Sequence, residues 1–317
     1  MKFLYKHYVN SILAFNVTSN IKNPLTCDES HVIIKNIFLR GNAMLPVMLQ
    51  LYNVRDELKK DFDGTLREIA VIGYKYVELA LAQSFGKTAA QFRESLGKAG
   101  LTAISAHVPY RDMIADPQNA IGFHIEIGCK YIVVPFLNDE DRSTGSNYED
   151  VKKGIAKLGE TVNKKGAVLL YHNHEFEFED YKGKYALDDL FDSIPAGLLQ
   201  TEIDTCWAMV GGVNPAEYIL KYSGRSPVVH LKDFDSSAGG EIKAEYDLIG
   251  EAKKARAAGS FPFRAVGYGV QDIPGIIKAS EKAGASWLVV EQDLPSPGKT
   301  NIECARDSFE YLKKIGN

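Results

Sequence analysis

Residues 171–178 read YHNHEFEF, so the apolar run 167–170 gives way to two imidazoles and then to acids. A buried strand that turns polar at its C-terminal end is delivering groups to a site, since in a barrel of parallel strands that end carries the chemistry. Three later runs repeat the pattern: LLQTEID closes on Asp204, PVVHLKD delivers His230 and Lys232, and SWLVVEQD delivers Glu291. His172, Asp204, His230 and Glu291 together offer the imidazole and carboxylate donors that suit a divalent cation. Earlier strand ends add Glu78 in YVELAL and His107 in ISAHVPY. Each residue alone also fits a structural role: His107 as a core histidine bonded to a carbonyl, Glu78 paired with a base, His174 as an orienting group, Asp204 capping a turn. Their joint placement argues for more. Carboxylates buried together cost several kcal/mol apiece unless a cation neutralises them. One Mn²⁺, Mg²⁺, Co²⁺ or Zn²⁺ ion does so, and the lack of thiolates favours Mn²⁺, Mg²⁺ or a similar ion.

Short β-rich runs alternate with longer amphipathic ones to position these groups. The pattern predicts strands at 46–52, 76–81, 101–108, 131–135, 167–172, 199–204, 227–231 and 287–291. Helices are predicted at 58–72, 89–99, 117–129, 147–165, 215–222, 272–283 and 302–315. Gly73, Gly100, Gly128, Gly166 and Gly284 each stand just before the next strand, where a helix would close. Eight strands with helical connections predict an α/β fold, a single-domain (β/α)8 TIM barrel, with a doubly wound sheet as the alternative. No G-x-G-x-x-G follows the first strand, which speaks against a dinucleotide site. The longest connection spans 234–268; within it 241–256 reads as a charged helix and 259–269 as a loop, either a binding loop or a surface insertion.

Composition sets the outer bounds. With 45% hydrophobic and 25% charged residues the chain has ample core for a soluble globular protein. A formal net charge of -4 carries no electrostatic footprint for nucleic acid. Cys27, Cys129, Cys206 and Cys304 lie far apart with no CxxC spacing, so a disulfide framework or structural zinc knuckle is not expected and a reducing cytoplasm fits best. No apolar run reaches the ~18 residues of a membrane helix. Lys6, His7, Asn10 and Asn16 interrupt the only signal-like segment. Residues 1–43, with pieces such as NVTSNIKNP, show no sustained period and are expected to be a poorly ordered appendage to a barrel at 44–317.

From residue 48 to 314 the chain resembles the xylose-isomerase-like TIM barrel superfamily, and within it the sugar phosphate isomerase/epimerase branch. The resemblance rests on QLYNVRDEL, GYKYVEL, SAHVPY, YHNHEFEF, IDTCW, VVHLKDF and VVEQD, in that order. It implies one divalent metal held by Glu, Asp, His and Glu from strands five to eight. Residue by residue these fall on His172, Asp204, His230 and Glu291. The first position departs from the family, since His172 stands where relatives carry Glu, and Glu175 or Glu177 is the alternative. Trp207 stands near where many relatives carry a His, which argues against a second metal.

The resemblance further implies a metal-dependent isomerase or epimerase acting on a sugar or sugar-derived carbonyl compound, by proton abstraction through an enediolate. Glu291 is then the expected base, with His172 or His174 as its partner and Lys232 stabilising oxyanion charge. Gln50, Glu78, His107, Trp207 and Arg264 are candidate contacts to a small sugar or cyclitol. Loss of a β-hydroxyl, as in inosose dehydratases, is the alternative outcome. An abasic-site endonuclease and a noncatalytic sugar-binding barrel are remote ones. No membrane or nucleic-acid partner is expected, and nothing in the residues fixes the oligomeric state.

Overall fold

The computed structural model of the chain describes residues 44–80, 84–235 and 262–316. All eight apolar runs form strands: β1 Val47–Gln50, β2 Tyr76–Leu79, β3 Thr102–His107, β4 Tyr131–Val134, β5 Val168–His172, β6 Gln200–Asp204, β7 Val228–Leu231 and β8 Trp287–Val290. They pair in chain order, all parallel, and β8 closes onto β1, which excludes the open doubly wound sheet. A helix follows each strand: α1 Phe62–Ile72, α2 Ala89–Ala99, α3 Pro117–Ile127, α4 Tyr148–Lys164, α5 Ala186–Ser193, α6 Pro215–Lys221, α7 Ile273–Ala283 and α8 Asn301–Ile315. No described helix is long and apolar enough to cross a membrane.

Local chemistry sets the boundaries. Thr88 and Thr300 each close a capping box, with Gln91 and Glu303 respectively. Gly100 and Gly284 end α2 and α7 at φ of 76° and 85°, a left-handed conformation that an L side chain resists. The expected helix 58–72 is in fact two, Arg55–Lys60 and α1. Asp61 divides them because its extended backbone and its carboxylate, which accepts the Gly64 N–H at 2.9 Å, start a new helix. Helix α5 was not expected. Its buried Leu187, Leu190 and Phe191 follow helical spacing, but Asp188 and Asp189 interrupt that stripe in sequence.

The loop reading of 259–269 is corrected over its described part, since Phe263–Arg264 pairs antiparallel with Asp233–Phe234. The Asp233 carboxylate fixes this neck by accepting backbone N–H groups from Phe234 (2.9 Å), Gly267 (3.0 Å), Gly269 (2.9 Å) and Gln271 (3.1 Å). The appendage 1–43 and the helix 241–256 fall outside the described residues.

Strand periodicity places the chemistry. Met48, Leu170, Val228 and Val289 point into the barrel and, with Ile104 and Val133, form an apolar plug. Two residues further along the same strands stand Gln50, His172, His230 and Glu291, which therefore also point inward, one pleat nearer the C-terminal mouth. A separate, larger core between strands and helices holds the outer layer together.

One polar contact in that outer layer is testable. Asp188 on α5 accepts from Tyr218 Oη (2.8 Å), Tyr222 Oη (2.6 Å) and Lys221 Nζ (2.6 Å), tying α5 to α6 and the turn after it. Burial pushes its pKa up, but Lys221 and the two hydroxyls outweigh this and hold it below the usual value. A depressed carboxylate stabilises the fold above its unfolded pKa of ~3.9, and the contribution is lost as pH falls through the folded value. Asp188→Asn should therefore cost about 1.5–3 kcal/mol near pH 7, and thermal unfolding should show the gap from the parent narrowing below pH 4. An equal gap at pH 3 and pH 7 would exclude the ionic contribution.

Candidate metal centre and active site

Strands β5, β6, β7 and the segment after β8 bring His172, Asp204, His230 and Glu291 together at the mouth, every one buried, with donor atoms all within 4.8 Å of one another. His172 Nε2 lies 3.5 Å from both Asp204 Oδ2 and Glu291 Oε2, and His230 Nδ1 lies 3.0 Å from Glu291 Oε2. Register explains the meeting, because Asp204 is the direct neighbour of His230 across β6 and β7.

Two of these donors are orphans. His172 Nε2 and Asp204 Oδ2 are buried and make no hydrogen bond, and such atoms are costly unless something else satisfies them. Imidazole and carboxylate donors converging with lone pairs open fit a divalent cation, so the residues present suit the ion that the sequence implied. At the first position it is His172 that clusters with the other three. The alternatives point elsewhere: Glu177 is bonded to Tyr171 Oη and to the His174 N–H, and Glu175 is not among the clustered donors. His172 Nδ1 faces Pro135 O at 3.3 Å, which turns Nε2 toward the cluster.

Lys232 is 1% exposed, a rare setting for an ammonium. It contacts Asp293 Oδ2 (2.8 Å), Glu291 Oε2 (3.2 Å) and Asp204 Oδ2 (3.7 Å). Burial alone would lower its pKa; the three carboxylates reverse this and hold it well above the ordinary value. Burial likewise pushes Glu291 up, but Lys232, His172 and His230 keep it well below the carboxylate range. Asp293 goes the other way, to about 6, because burial outweighs its contact with Lys232. His174 is held well below an ordinary histidine by burial and by the nearby His172 and Lys232, so its imidazole is neutral. Its Nδ1 has no hydrogen-bond partner, and its ring stacks between Phe176 (5.4 Å) and Trp207 (5.7 Å).

Other candidate residues have different positions. Gln50, Glu78 and His107 sit inside the barrel against His230: Gln50 Nε2 donates to Glu78 Oε2 at 2.8 Å, and the same oxygen meets His107 Nε2 at 3.0 Å and His230 Nε2 at 2.8 Å. Trp207 is fully buried as a wall beside His174, with Phe263 at its edge. Arg264 is held outside the cluster, by Asp235 at 2.9 Å and by Phe263 O at 3.0 Å.

Sequence reading passed over Glu202, Asp293 and Ser105. The first two stand two residues from Asp204 and Glu291, so strand alternation alone would have placed them on the same face. Asn173, between the two histidines, has a supporting part. Its side chain accepts the Asp204 N–H at 3.0 Å and donates to Asp204 O at 3.3 Å, fixing β5 to the end of β6.

The family model for xylose isomerase-like TIM barrels matches residues 66–315. The chain belongs to that family. Among curated members, the inosose dehydratase of Clostridium botulinum (strain Alaska E43 / Type E3) is 24% identical over 274 residues, covering 80% of this chain and 89% of the relative. That of Geobacillus kaustophilus (strain HTA426) is 22% identical over 275 residues, covering 80% and 87%. A solved structure of a sugar phosphate isomerase/epimerase from Parabacteroides distasonis ATCC 8503 aligns with a TM-score of 0.66 and 21% identity, over 86% of this chain and 95% of that one. The family relationship agrees with the closed barrel and the mouth cluster. At these identities it leaves the reaction to be argued from the residues.

Saturating Mn²⁺ should stabilise the apo-protein by about 2.7 kcal/mol at a hundredfold excess over Kd. Asp204→Asn should lose most of that gain without losing the fold, because an Asn still accepts the Trp207 N–H that Asp204 Oδ1 now caps at 2.9 Å. A parent-like thermal shift in this variant would remove Asp204 from the ligand set.

Proposed function

We propose that this family member is a divalent-cation-dependent isomerase or epimerase of a sugar or sugar-derived carbonyl compound, working by removal of the proton next to the carbonyl. The observation that carries the reading is the pair of orphaned donors, His172 Nε2 and Asp204 Oδ2, facing each other in a buried cluster with His230 and Glu291. By their names, the curated relatives remove water from an inosose, and the Parabacteroides protein isomerises or epimerises a sugar phosphate. Both kinds of reaction can begin with the same proton removal.

A bound divalent ion supplies Lewis-acid polarisation of adjacent substrate oxygens. The chain's own groups do the rest. Glu291, kept ionised by Lys232 and the two imidazoles, takes the α proton at a carboxylate oxygen. The Lys232 ammonium sets a fixed positive charge beside the developing enediolate oxygen. Neutral His174, with Nδ1 open, exchanges the second proton; return to the neighbouring carbon isomerises, and return to the opposite face epimerises. Trp207 and Phe176, whose rings both stack with His174, help keep bulk water from that proton.

One observation favours elimination as a second reading. Asp293, 2.8 Å from Lys232 and raised to about 6, can restore a proton that Lys232 gives to a departing β-hydroxyl. Incubation of metal-loaded protein with ketoses and ketocyclitols in D₂O separates the cases: deuterium at the exchanged carbon with conserved mass otherwise marks isomerisation or epimerisation, and loss of water marks dehydration. Glu291→Gln at saturating metal should slow exchange about 10²- to 10⁴-fold. Parent-like exchange in that variant would reduce Glu291 to a ligand and move the base to His174.

A further inference from the structure

The carboxylates and imidazoles below the mouth cluster make a second closed arrangement. Starting from His107 Nε2, the next vertex is Glu202 Oε2 at 2.8 Å, then His230 Nε2 at 3.2 Å, then Glu78 Oε2 at 2.8 Å, and the ring returns to His107 at 3.0 Å. Two imidazole N–H groups can fill only two of those four edges, and ionised carboxylates have no proton to give. The four donor atoms therefore converge from four strands on one small space among buried side chains.

Three further observations point the same way. Glu202 is fully buried and its Oε1 has no partner, and the open His172 Nε2 lies within 4.8 Å of the donors of His107, Glu202 and His230. The rings of His107 and His230 stack at 5.3 Å with an 11° tilt, so that both Nε2 atoms face the same two carboxylates, which draw positive charge, a proton or a metal ion, to that side of the rings. Glu78, Glu202, Asp204, Glu291 and Asp293 are all buried, and the Lys232 ammonium contacts the last three, so that Glu78 and Glu202 have His107 and His230 as their charged or metal-ligating neighbours.

We infer that Glu78, His107, Glu202 and Nε2 of His230 form a second cation seat, distinct from the mouth cluster and closed to substrate. Its four protein donors, at 0–5% exposure, leave no room for water, so it prefers a four-coordinate ion such as Zn²⁺ to Mg²⁺ or Mn²⁺. Gln50 and Ser105 brace the seat by hydrogen bonds to Glu78, and the ion joins β2, β3, β6 and β7 across the barrel. His230 belongs to both seats through opposite ring nitrogens. Occupancy of the lower one directs Nδ1 toward Glu291, and occupancy of both requires the ring to bridge as an imidazolate.

Titration of chelated full-length protein with Zn²⁺, followed by metal content after gel filtration, tests the seat without any substrate. Glu202→Gln and His107→Gln should each hold one equivalent fewer than the parent, whereas Asp204→Asn should retain that equivalent. Co²⁺ in the lower seat should give the intense visible bands of four-coordinate geometry, absent in Glu202→Gln. If Glu202→Gln and His107→Gln bind as many equivalents as the parent, the lower seat is refuted and the mouth reading stands. If Asp204→Asn alone is parent-like, the mouth reading fails and the lower seat stands. Should the variants not fold, anomalous scattering from Zn²⁺-soaked parent crystals decides: a peak between His107 and Glu202 supports the seat, and a peak only beside Asp204 overturns it.

Discussion

Negative charge held away from water is the constraint on which the rest of this barrel depends. Glu78, Glu202, Asp204, Glu291, Asp293 and Lys232 are buried together at the C-terminal end of the strands, where each ion taken alone would be several kcal/mol out of balance. Lys232 offsets part of the excess and is itself kept charged by the acids around it. The histidines complete the compensation, either by carrying protons or by presenting lone pairs to cations. Removing one member leaves its neighbours uncompensated, so these groups behave as one electrostatic unit.

Geometry makes that unit possible. The apolar plug of Met48, Leu170, Val228 and Val289 closes the barrel below, and the same strands turn polar one pleat later. The lateral stagger of the strands sets Glu202 beside Val228 and Asp204 beside His230, so β6 serves two depths with one alternating face. Hydrogen bonds outside the cluster fix its orientation: Asn173 ties β5 to β6, and Glu177 holds the backbone at His174. Such supporting contacts decide whether donors converge or merely lie near one another.

Much of this was legible in the residues. The barrel followed from eight β-rich runs spaced by amphipathic segments, and the mouth cluster from polar residues ending those runs. What escaped notice shares a physical cause. Glu202 lies on the same face of β6 as Asp204 and Asp293 follows Glu291 in the segment after β8, but a single acid per strand end satisfied the pattern and a second was not sought. Helix α5 was hidden by Asp188, an acid buried on a helix face that only Tyr218, Tyr222 and Lys221, distant in sequence, can justify. Split pairing at Asp61 depends on a side-chain cap, which a hydrophobic period does not report.

The clamp at Asp233 has a consequence for how the family could diversify. Four backbone N–H groups converge on one carboxylate, and a Cβ at Gly269 would fall 2.2 Å from that carboxylate, so the neck between Asp233–Phe234 and Phe263–Arg264 is fixed independently of what it encloses. Loop-closure entropy rises only slowly with length once the ends are held together. The intervening segment can therefore be lengthened, shortened or exchanged at little thermodynamic cost to β7 and β8. Asp233 makes the junction a splice point, where new surface can be tried beside an unchanged barrel interior.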